Sequence, residues 1–78
     1  MRKFRIFKNE LNFTDRFTLI NAWGEVFCFD EMPLNPFGHN EYRGNIHQWK
    51  SKSTKHLGEI IAFEELTEEA KTFVKDRI

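Results

Sequence analysis

The chain has 78 residues, 40% of them hydrophobic, with nine Phe, one Cys and equal numbers of acidic and basic side chains, twelve of each. That length supports a single domain over residues 1–78, because a chain of this size buries only about 60–65% of its unfolded surface and has none to spare for a second core. A lone cysteine, Cys28, excludes an internal disulfide, and the longest apolar runs, 26–29 and 60–63, fall far short of the ~20 residues a membrane helix needs.

Residues 1–5 carry three cations and no apolar stretch of the kind that opens a secretory leader, so the expected compartment is a reducing cytoplasm. In residues 3–8, β-favouring Phe4, Ile6 and Phe7 stand among Lys3, Arg5 and Lys8. This mixture predicts a strand with one wet face, placed at a sheet edge where cations discourage mispairing. Residues 11–13 fit either a continuation of that strand or a loop.

Residues 16–31 give the clearest local signal. Asn21 and Gly24 occupy the first and last positions of a type I turn, and Gly24 is free to take the positive φ of a closing bulge, so two antiparallel strands are predicted on either side. Phe17 and Leu19 share one face of the first strand. Phe27 and Phe29 alternate with Val26 and Cys28 on the second, which puts apolar weight on both faces of the sheet.

Residues 32–40 contain both prolines and interrupt any ladder, predicting an exposed loop that displays Met32, Leu34 and Phe37. A fourth strand is expected over 41–49, with Arg43, Asn45, His47 and Trp49 on one face. Residues 50–56 hold no apolar side chain and read as a hydrated loop, and 57–63 as the last strand. A helix follows. Thr67 suits the N-cap, Glu68 and Glu69 sit at the positive pole, Lys71, Lys75 and Arg77 lie toward the other end, and Ala70, Phe73, Val74 and Ile78 form one apolar stripe. The expected fold is therefore α+β: a small antiparallel sheet of four to five strands with one C-terminal amphipathic helix packed on it.

The neutral total conceals sorted charge. Counting Lys, Arg, Asp and Glu gives +4 over residues 1–8, −5 over 9–41, +4 over 42–58 and −3 over 59–78. The segment 42–58 holds Arg43, Lys50, Lys52 and Lys55 with His47 and His56 and no acid, a pattern of contact with a charged partner or of a solvated flexible loop.

Catalytic chemistry finds little footing. Cys28, His39, His47 and His56 are spaced by eleven, eight and nine residues, which matches no paired zinc-ligand signature, so no metal is expected. The acid pairs Asp30 with Glu31 and Glu64 with Glu65 are sequence neighbours whose side chains diverge on a strand. His47 and His56 are candidates for base and acid in RNA cleavage, but nothing in the sequence fixes their separation. Phosphate-binding and nucleophile-elbow motifs are absent, and a non-enzyme without a cofactor is expected.

Recognition chemistry fits better. Arg43, His47, Trp49, Lys50, Lys52 and Lys55 combine clustered cations with a flat ring, as phosphate attraction and base stacking require, and Arg2, Lys3 and Arg5 with Phe4 and Phe7 offer a second such stretch. The balanced total charge falls short of that of dedicated nucleic-acid binders. The acids Glu59, Glu64, Glu65, Glu68 and Glu69 form an anionic counterpart, read for Glu68 and Glu69 as compensation of the helix dipole. Met32, Leu34 and Phe37 add apolar anchors of the kind found at protein interfaces.

The closing pattern GEIIAFEELTEEA, residues 58–70, runs from a strand through Leu-Thr-Glu-Glu into a short helix. It resembles the ends of small uncharacterised proteins of phages and other mobile elements. The resemblance implies a phage-type accessory protein that binds and inhibits a host factor, and it carries over no functional residue. The resulting expectation is a non-enzymatic cytoplasmic binding module that occupies a surface of a larger protein or ribonucleoprotein through Arg43, His47, Trp49, Lys50, Lys52 and Lys55, and secondarily through Met32, Leu34 and Phe37. The alternative is a single-stranded nucleic-acid binder, for RNA or ssDNA, using the basic and aromatic segment 42–58.

Overall fold

The computed structural model describes residues 3–9, 16–31, 41–50 and 53–78, with the side chains of 41–44 left aside. Five strands, β1 (Arg5–Lys8), β2 (Phe17–Ile20), β3 (Glu25–Phe29), β4 (Glu41–Asn45) and β5 (Glu59–Ile61), form one sheet in the order β4-β3-β2-β1-β5, and a single helix, α1 (Glu68–Lys75), closes the chain. Every pairing is antiparallel. The fold is a small α+β domain, as composition and order of elements predict. Residues 11–13 and the loop 32–40 lie outside the described residues.

The β2–β3 turn forms as its residues dictate. Gly24 N–H donates to the Asn21 carbonyl at 3.0 Å, Asn21 N–H to the Glu25 carbonyl at 3.1 Å, and Gly24 takes φ 80°. Asn21 is buried, 5% exposed, yet fully bonded. Its Oδ1 accepts from the N–H groups of Trp23 and Glu25 at 3.1 and 3.0 Å, and its Nδ2 donates to Glu25 Oε1 at 3.0 Å and to the Arg77 carbonyl at 2.9 Å.

Alternation along β1, β2 and β3 divides the apolar side chains between two faces. On one face Ile6, Phe17, Leu19 and Phe29 pack with Leu66, Ala70, Phe73 and Val74. Phe29 stacks on its cross-strand partner Phe17 at 5.3 Å between ring centroids and on Phe73 of α1 at 4.9 Å. Burial of rings such as Phe29 and Phe73, each fully enclosed, contributes about 1.5–3 kcal/mol apiece. Thr67 caps α1 by accepting from Ala70 N–H at 3.2 Å, and its hydroxyl donates to the Glu31 carbonyl at 2.6 Å, so the cap also fixes the helix to the end of β3. At the other end the Arg77 guanidinium lies 3.6 Å from the Phe73 ring centroid and donates to the Phe73 carbonyl at 2.8 Å. Desolvation lowers the Arg77 pKa from its ordinary value, partly opposed by the charge of Asp76.

The opposite face is not left wet. Phe7, Ile20 and Val26 point there and are covered by Ile46 and Leu57, with Trp49 packed against them. The cover is the chain between β4 and β5, which carries 3₁₀ turns at Ile46–Gln48 and Lys55–Leu57.

Three local expectations are corrected. β1 is an interior strand, held between β2 and β5, and not an edge: its cations are tolerated because Arg5 and Lys8 lie at its two ends, while Ile6 and Phe7 between them are buried on opposite faces. The fourth strand stops at Asn45 instead of continuing to Trp49, because Asn45 Oδ1 accepts from His47 N–H at 2.9 Å and Ile46 N–H turns to the Gly24 carbonyl at 2.8 Å. The last strand is only Glu59–Ile61: Leu57 is drawn down into the cover, and Phe63 begins another 3₁₀ turn, Phe63–Glu65, capped by Glu65 Oε2 accepting from Ala62 N–H at 2.7 Å.

Candidate functional site

The basic segment 42–58 is built into this cover. Because β4 ends in an Asn45-capped turn, the chain leaves the sheet at its β4 edge, and Ile46, Trp49 and Leu57 pack on the apolar face. His47, Lys50, Lys55 and His56 are exposed, whereas Trp49 is half-buried. The Trp49 and His56 rings approach to 5.5 Å between centroids with a 50° tilt. This contact brings the backbone at Trp49 close to that at His56, and the sequence neighbours of these rings, Lys50 and Lys55, are both exposed.

His47 goes elsewhere. Its imidazole sits on the β2–β3 turn, where a Cβ on Gly24 would fall 2.6 Å from His47 Nε2, and the neighbouring Asn45 Nδ2 donates to the Trp23 carbonyl at 3.4 Å. Arg43, Asn45, His47 and Trp49 therefore do not share a strand face. The Arg43 side chain, Lys52, Met32, Leu34 and Phe37 lie outside the described residues and side chains.

Arg5 stands on the sheet face that the cover encloses. Its guanidinium stands 5.6 Å from the ring centroid of Phe7, a member of the cluster that the cover encloses. The first basic stretch thus supplies Arg5 to the covered face, while Phe4 packs on the helix side. The alternation of Arg5 with Phe7 carries this information, once β1 is known to be central.

Among the described residues the cations of this face are not neutralised by carboxylates; ion pairs there join Arg16 to Glu31 at 3.9 Å and Lys71 to Glu68 at 3.3 Å. Of the acids in residues 59–69, which lie on and around β5 and α1, Glu65 and Glu68 are engaged in a cap and an ion pair.

Other chemistry is sparse. Cys28 is buried, 3% exposed, with Sγ 3.8 Å from Thr18 Oγ1 on the facing strand. Among the described residues no three His, Cys, Asp or Glu side chains are grouped to hold a metal ion, and no helix is long and apolar enough to cross a membrane. No protein-family model matches the chain, and no curated protein or solved structure matches it either.

Proposed function

We propose that this protein is a non-enzymatic cytoplasmic binding module of the phage accessory type, which docks its basic sheet cover onto an anionic surface of a larger host protein or ribonucleoprotein and blocks it. One observation carries the proposal: exposed Arg5 stands over Phe7 on the sheet face that the cover encloses, and the cover itself carries exposed Lys50 and Lys55, all without carboxylate partners among the described residues. Exposed cations held by a packed support attract a complementary surface and orient it during encounter.

A protein surface is favoured over bare single strands because Trp49 is committed to packing. Its half-buried ring packs on the apolar cluster and lies against His56, which reduces the platform it can offer a base. The test is quantitative affinity capture from the native host with the wild type and with Lys50→Glu/Lys55→Glu, after circular dichroism establishes that both are folded. The charge reversal is expected to lower capture of the specific partner by about tenfold or more. Equal capture overturns the proposal. Tight, steeply salt-dependent binding of oligouridylate or oligothymidylate, lost in the same variant, would replace it with the single-stranded nucleic-acid reading.

A further inference from the structure

A second surface lies along the β5 edge of the sheet. β5 is an edge strand, paired with β1 alone among the described residues, and its central residue Ile60 is 68% exposed. An edge strand offers unpaired backbone groups to an incoming chain, and edges are ordinarily blunted by charge or proline on the strand. Here the middle position is an exposed aliphatic side chain.

The next residue, Ile61, points to the opposite face and lines a groove of about 400 Å³ together with Phe4, Phe63, Glu64, Lys75 and Ile78. Phe4 and Phe63 meet edge to face at 6.2 Å, forming an aromatic corner of the groove, and the Lys75 ammonium stands 5.9 Å from the Phe63 ring centroid. Glu64 and Lys75 both line the groove, yet no ion pair joins them, and neither pairs with another charge among the described residues.

We infer that this edge and groove bind an extended segment of a partner protein, which adds a strand to β5, inserts one apolar side chain between Phe4, Ile61, Phe63 and Ile78, and presents an acid to Lys75 and a base to Glu64. The period of two along a strand supports this mode: an added chain sets alternate side chains over Ile60 on one face and into the groove on the other. The opposite charges of Glu64 and Lys75 give the segment a direction.

The probe is a random dodecapeptide library displayed against the purified full chain, with selected peptides then synthesised and titrated by fluorescence anisotropy. Selected peptides should share an apolar residue flanked by an acid and a base. Ile60→Lys and Lys75→Glu should each weaken them by about tenfold or more, while Lys50→Glu/Lys55→Glu leaves them unaffected, which separates this surface from the basic cover. Both edge variants replace exposed side chains and are checked for an unchanged melting curve. Failure to enrich any peptide, or peptides that bind the edge variants as tightly as the wild type, overturns the inference. So does a wild type that sediments as a dimer and becomes monomeric on Ile60→Lys, since the edge is then occupied by a second copy.

Discussion

The side-chain amide of Asn21 donates a 2.9 Å hydrogen bond to the main-chain carbonyl of Arg77, joining the β2–β3 turn to the residue two positions beyond α1 across 56 positions of sequence. The same side chain organises the turn through Trp23 and Glu25. One buried amide therefore couples the most local element of the fold to a contact 56 positions away.

Asn21→Ala is expected to destabilise the protein by about 2–3 kcal/mol, because the carbonyl of Arg77 and the N–H groups of Trp23 and Glu25 lose their partner in a site closed to water. Against a total of about 4–12 kcal/mol for a chain of this length, that is a large fraction. Urea unfolding monitored by circular dichroism measures it. Asn21→Asp keeps the acceptor and loses the donor, so it should also fall well below wild type, with its carboxylate set against Glu25.

Gly58→Ala tests the seating of β5. Gly58 has φ 94°, and a Cβ there would strike the carbonyl oxygen of Lys8 on the neighbouring strand. A loss of about 1–3 kcal/mol is expected from backbone strain alone, with the clash added to it. Amide exchange should show the damage first in β5.

Removal of the helix cap by Thr67→Ala should cost about 1–2 kcal/mol. It deletes the acceptor for Ala70 N–H and the donor to the Glu31 carbonyl together. Thr67→Ser retains both groups and should recover most of the loss in the same thermal melt, which a role in methyl packing alone would not allow.

Phe73→Ala is expected to cost about 3–5 kcal/mol, a large share of the total stability, and to lower the melting temperature markedly. The ring stacks on Phe29, meets Phe27 at 6.5 Å edge to face, and supports the Arg77 guanidinium on its other side. Near-ultraviolet circular dichroism should lose its aromatic signal.

The legibility of the fold in the sequence follows the range of the interaction. The turn from Asn21 to Gly24, the Thr67 cap and the stripe of Ala70, Phe73 and Val74 are written in spacings of three or four residues, where each side chain's partner is close in sequence. The position of β1 was misread because its pairing with β5 joins residues more than 50 positions apart, and no local pattern distinguishes an edge strand with two terminal cations from an interior one. The cover was hidden for a different reason. Ile46, Trp49 and Leu57 are few and widely separated among polar residues, so their common burial emerges only when the chain folds back between β4 and β5. Within the candidate site, the exposure of Lys50 and Lys55 was readable from composition, whereas the arrival of Arg5 on the covered face depends on sheet order.

The bond from Asn21 to Arg77 also bears on synthesis. Leu66, Ala70, Phe73 and Val74 close one side of the sheet, and Leu57 helps to close the other, so a nascent chain that has exposed only its first hairpin has no enclosed core on either side. Folding must wait until residue 77 has cleared the ribosomal exit tunnel. Until then the aromatic strands stay uncovered, and a translation product truncated before α1 should be degraded rather than accumulate.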